Sequence, residues 1–148
     1  MPSTYVSLHY HLVFSTRERV PSIIDDVRPR VHAYLGGIIR GLEGTPIEVG
    51  GTENHVHLLV GLKATHCVAK VLRVLKGDSS RWIHDELGLS RFAWQEGYSA
   101  FTVSKSGLTT VREYVKGQEE HHRKQSFEDE YMELLVKHEI EFDERYLW

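Results

Sequence analysis

The segment GGTENHVHLLVGL is the tightest constraint on what this chain can fold into. Val56, Leu58, Val60 and Leu62 alternate along it, while His55 and His57 fall at the positions between. In a strand, successive side chains point to opposite faces, so the aliphatic set forms a core face and both imidazoles share the other. The glycine-rich GGTEN reads as a turn, with a short strand over Pro46 to Val49 on its far side.

The neighbouring segments extend this hairpin into a sheet. Val6, Leu8, Tyr10, Leu12 and Phe14 alternate with Ser7, His9, His11, Val13 and Ser15, the pattern of a half-buried strand. A helix is expected from about Asp25, with Val27, Val31, Tyr34, Leu35, Ile38, Ile39 and Leu42 as its stripe and Gly41 and Gly44 at its end. A second is expected from about Thr65 to Leu87, where Gly77 predicts a kink or a close contact. FAWQEGYSAFTVSK is aromatic and β-branched enough for a last strand. The order β-α-β-β-α-β predicts an α+β, ferredoxin-like antiparallel sheet with both helices on one face. The first and third strands then lie side by side, and His9 and His11 share an open face with His55 and His57.

Two helices are expected after the sheet. Residues 108–124 form one with few apolar side chains, Leu108, Val111 and Val115 besides Tyr114. Such a helix suits docking on a site or on another subunit better than packing in a core. Ser126 followed by Asp129 predicts a cap for a final helix buried through Phe127, Tyr131, Leu134 and Leu135. The whole of 1–148 reads as one domain, a sheet core over about 4–105 and a helical part over about 107–148.

Composition narrows the class. Charged residues at 26% and hydrophobic ones at 41% are ordinary for a globular protein. The lone Cys67 gives neither a disulfide framework nor a paired-cysteine metal site. No apolar run approaches the roughly 18 residues of a spanning helix, so the expectation is a cytoplasmic protein without a membrane partner. The net charge of −3 is unevenly spread. Residues 126–148 carry −6 and the remainder +3, so a local basic patch can still meet DNA.

Spacing alone does not single out the downstream histidine pair, since His9-Tyr10-His11 has it too. What distinguishes the downstream pair is its place beside a glycine turn, on a strand whose other face is cleanly apolar. Tyr114 and Gln118 stand four residues apart, on one side of a helix. Two nitrogen ligands, an amide oxygen and a phenol suit metal-assisted attack on a phosphodiester, with the tyrosine taking the phosphate.

The pieces YHLVFSTRER, ENHVHLLV, LKGDSS, WQEGY and YVKGQEEHHRKQSFEDEY run in order along nearly the whole chain. In this the chain resembles the single-tyrosine HUH transposases of small insertion sequences, including the REP-associated tyrosine transposases. The resemblance implies that His55, His57 and Gln118 hold a divalent ion, Mg2+ or Mn2+, and that Tyr114 is the nucleophile. It implies cleavage and rejoining of single-stranded DNA at hairpin-marked ends through a 5′-phosphotyrosine that frees a 3′ hydroxyl. It also implies a two-fold homodimer in which the tyrosine helix of one subunit completes the site of the other. The chain departs from the pattern at Asn54, where relatives commonly carry an acidic residue, although Glu53 is adjacent.

His11, Arg17, Arg19, Lys76, Arg81 and Arg123 are the residues expected to meet DNA. Three rival readings stand beside the leading one. A replication-initiator or relaxase-like nickase uses the same chemistry in longer chains. A ferredoxin-like nucleic-acid-binding module would need stacking aromatics where this face carries histidines. A domesticated hairpin-binding relative would act without transposing.

Overall fold

The computed structural model describes residues 3–148. Four strands form one antiparallel sheet: β1 (Leu8–Ser15), β2 (Thr45–Gly51), β3 (His55–Leu62) and β4 (Ser99–Thr102). Their spatial order is β2-β3-β1-β4, which makes β1 and β3 the central pair and leaves β4 at an edge. Helix α1 (Arg28–Gly41) joins β1 to β2, and α2 (Val68–Leu87) joins β3 to β4. The ferredoxin-like expectation matches this topology.

One face of the sheet packs on α1 and α2. Leu12, Phe14, Val56, Leu58 and Val60 meet Val31, Leu35 and Ile39 of α1 and Val71, Leu72 and Leu75 of α2 in a single apolar cluster. Helix α1 starts three residues later than expected, with Pro29 in its first turn, a position that needs no amide donor. Helix α2 also starts three residues late and ends at Gly88, whose φ of 68° supplies the left-handed turn that stops it. Gly77 corresponds to neither a kink nor a contact. The helix runs through it, and a Cβ there would meet nothing within 4 Å.

The last strand is much shorter than its apolar sequence suggests. Ser99–Thr102 pair with β1, and Trp94 makes one isolated bridge to Thr16. Phe92 and Trp94 are spent on the core instead, with Trp94 edge to face against both Phe92 and Phe14.

The other face, expected open, is covered. Helices α3 (Leu108–Lys116), α4 (Gln118–His121) and α5 (Phe127–Lys137) lie over it. Val13 and Phe101 from the sheet join Phe127, Tyr131 and Leu135 of α5 in a second apolar cluster. The Ser126 hydroxyl accepts from the Asp129 amide at 3.2 Å and caps α5, a contact generally worth about 1 kcal/mol.

The tyrosine segment is divided at Gly117 into α3 and α4. Despite its sparse apolar content, α3 packs on the sheet of its own chain, with Val115 fully buried. Gly50 makes this approach feasible: a Cβ there would lie 2.0 Å from the Val115 carbonyl oxygen. Gly51, at φ 153°, turns the chain toward β3, where a Cβ would fall 2.2 Å from the His55 oxygen. Among the described residues, no helix is long and apolar enough to cross a membrane.

Candidate active site

The alternation of β3 points His55 and His57 toward α3, α4 and α5, and both are fully buried. His55 Nδ1 lies 2.9 Å from Asn54 Oδ1, with Thr52 Oγ1 at 3.1 Å. An amide oxygen can only accept, so Nδ1 carries the proton and Nε2 keeps its lone pair. That Nε2 faces Gln118 Oε1 at 3.0 Å. The orientation of the Gln118 amide is fixed, because its Nε2 donates to Tyr114 O at 3.3 Å and to Glu130 Oε2 at 3.1 Å.

Two acceptors therefore confront each other across 3.0 Å, and more converge beside them. His122 donates from Nδ1 to the Gln125 carbonyl at 2.7 Å, turning Nε2 to Gln118 Oε1 at 2.9 Å and to Glu130 Oε1 at 3.1 Å. His57 Nε2 is 3.0 Å from the same carboxylate oxygen. One ligand atom from each of His55, His57, His122 and Glu130 lies within 4.8 Å of all the others. Imidazole nitrogens and carboxylate and amide oxygens gathered in this way fit a divalent cation of the Mn2+, Zn2+ or Mg2+ type. The outer atoms of the rings are held as a ligand set requires. Asn54 Oδ1 accepts a hydrogen bond from His55 Nδ1, and His11 Nε2 stands 2.7 Å from His57 Nδ1. Asn54 thus occupies the supporting position where an acid was expected.

Tyr114 reaches this cluster from α3, and its hydroxyl donates to Glu130 Oε2. Burial, then the Glu130 charge and that hydrogen bond, push the phenol above its usual range. Burial alone would push the Glu130 carboxyl up. Hydrogen bonds from His122, His57 and Tyr114 outweigh it and hold the group well below the usual carboxylate range. Burial and the neighbouring His57 lower His55 well below its ordinary value, which keeps it neutral and able to ligate. Burial and His57 likewise lower His11, to about 3.

A cleft of about 530 Å³ runs from the β4 edge to Tyr114, with Phe101, Thr102, Val111, His121, Lys137 and His138 along its walls. His138 stacks on Phe101 at 4.2 Å between ring centroids.

The family model described as "Transposase IS200 like" matches residues 4–118. The chain belongs to the IS200-like transposase family. The ISDra2 transposase TnpA of Deinococcus radiodurans is 26% identical over 119 residues, 75% of this chain and 84% of that protein. Two solved structures share the fold. A Deinococcus radiodurans R1 protein described as a transposase superposes with a TM-score of 0.67 at 22% identity, over 80% of this chain and 95% of the other. A REP-associated tyrosine transposase bound to a REP hairpin superposes with a TM-score of 0.57 at 12% identity, over 78% and 68%.

The IS200-like match ends at Gln118, so His122 and Glu130 lie beyond it. The sequence reading passed over both in assigning the site. Each carried a signal: His122 follows Gln118 by four residues, and Glu130 sits three after Phe127 and four before Leu134, an acid on an apolar stripe. The structure gathers His55, His57, Gln118 and Tyr114 at one point, with His11 buried beside them and on the wall of the cleft.

The cations expected to meet DNA are scattered. Arg17 and Arg123 are exposed, the latter paired with Glu120 at 2.7 Å. Arg19 pairs with Glu128 at 2.8 Å and covers the Trp148 ring at 4.5 Å. Lys76 and Arg81 ride on α2, across the sheet from the histidines. Lys76 is spent on the Glu96 and Gly97 carbonyls at 2.9 and 2.8 Å.

Proposed function

We propose that this IS200-like transposase cleaves and rejoins single-stranded DNA at hairpin-marked ends, with Tyr114 as nucleophile and a divalent ion at the histidine cluster. The convergence of Tyr114, His55, His57 and Gln118 on one buried point supports the reading most directly. A REP-associated relative of the same fold binds a REP hairpin, which supports hairpin DNA as the substrate class. His55, His57 and Gln118 would hold the ion, with His122 and Glu130 beside them. Bound there, it would polarise a non-bridging phosphate oxygen and offset charge on the departing 3′ oxygen. Attack by Tyr114 leaves the 5′ phosphate on the tyrosine and releases a 3′ hydroxyl end, storing the phosphodiester for rejoining.

The cleft from the β4 edge gives a strand its path to Tyr114, with Lys137 on its wall as a cation for backbone phosphate. Exchange between two ends needs two such sites, and we assign that to a homodimer. In that dimer each tyrosine helix would serve its own chain, a reading supported by the fit of α3 on its own sheet.

Replacing both His55 and His57 by alanine tests the ion. Mn2+ binding by the free protein, followed by electron paramagnetic resonance, should fall by at least about tenfold. Covalent attachment to hairpin DNA should be lost with it. Unchanged Mn2+ binding would place the ion elsewhere.

A further inference from the structure

Resting on that reading of Tyr114, we propose that Glu130 accepts the tyrosine's proton during attack and ties the nucleophile to the metal cradle. Glu130 comes from α5, a helix outside the family match, and is 1% exposed. A carboxylate at that depth is costly unless every lone pair is used. Its two oxygens face different partners. Oε1 looks toward His57 and His122, at 3.0 and 3.1 Å. Oε2 accepts from the Tyr114 hydroxyl and from Gln118 Nε2. Among the described residues, Glu130 is the hydroxyl's hydrogen-bond partner.

The Tyr114 phenol, pushed above its usual range by burial and the Glu130 charge, is protonated near neutrality and attacks poorly without an acceptor. As the Tyr114 Oη–phosphorus bond forms, that oxygen loses its hold on the proton, which passes to Glu130 Oε2. The phosphorus–O3′ bond breaks, and the 3′ oxygen takes a proton from water and leaves as a hydroxyl. On rejoining, the 3′ hydroxyl displaces the tyrosine, the proton on Glu130 returns to Oη, and the proton of the 3′ hydroxyl goes to water. One carboxylate thus touches both the nucleophile's hydroxyl and the imidazoles that would face the cation.

The opposite role is also concrete. A carboxylate against Tyr114 could hold the place of the scissile phosphate, and its removal would then speed attack.

The test uses the full chain with a panel of single-stranded oligonucleotides, each carrying an imperfect-palindrome hairpin followed by a single-stranded tail. Glu130→Gln keeps the side-chain volume and one acceptor oxygen, and Glu130→Asp keeps the carboxylate. Circular dichroism melting establishes folding of each. For Glu130→Gln, Mn2+ affinity measured on the free protein should fall about tenfold. Its rate of covalent adduct formation should fall about 100-fold even at saturating Mn2+. Glu130→Asp should recover part of that rate. Recovery of Glu130→Gln to within threefold of the unaltered chain at saturating Mn2+ would overturn the proposal, as would a faster rate. An aspartate variant no faster than the glutamine variant would also overturn it. If the unaltered chain forms no adduct, the parent reading fails and takes this one with it. Adducts on Tyr114 that are indifferent to Glu130 would sink this one alone.

Discussion

Gly50 and Val115 are the point at which the tyrosine helix meets the sheet. The Val115 carbonyl oxygen would stand 2.0 Å from a Cβ at Gly50, closer than any side chain allows. The contact links a β2 glycine, through one helix, to the position of Tyr114.

Gly50→Ala should therefore displace α3 while leaving the core between the sheet and α1 and α2 in place. An ångström of misplacement at a nucleophile costs about 100-fold in rate. The expected result is an adduct rate reduced by about that factor with a cooperative melt retained. A variant as active as the unaltered chain would show that α3 does not need this seat.

Gly77→Ala makes the opposite kind of change. The glycine is inside α2 with open space around it, so alanine adds helix propensity without a clash. A gain of about 1 kcal/mol is expected, raising Tm by roughly 2–4 °C in a chain of this size. A lower Tm would indicate a contact on that face of α2.

The sequence made the topology legible because its signals are local. The alternation in β1 and β3 and the stripes in α1 and α2 each follow from a period that burial on one face imposes. What it hid was tertiary. The apolar strip Phe92 to Thr102 looked like one strand, but Phe92 and Trp94 were needed to close the core beneath Phe14. The histidine face looked open because no local pattern announces that α5 will cover it through Phe127 and Tyr131. Glu130 was overlooked for the same reason: within FEDEY it is one acid among three. Its position on the buried stripe, rather than its type, marks it.

The resemblance implies exchange of the tyrosine helix between subunits, and in the single chain α3 packs on its own β2 with Val115 buried. Mixing Tyr114→Phe with the double variant His55→Ala, His57→Ala separates the two arrangements. With each site built from one chain, a heterodimer has no intact site, and no activity should return. Regain of adduct formation on mixing would show that the helix crosses.

The central claim is that Tyr114 carries the DNA. Protein incubated with Mn2+ and a hairpin-bearing single strand can be digested, and the nucleotide-bearing peptide sequenced by mass spectrometry. The modification is expected on Tyr114, joined to a 5′ phosphate, and absent from the Tyr114→Phe chain, which still binds the hairpin. A phosphonucleotide on any other residue, or an adduct that survives Tyr114→Phe, would contradict the account.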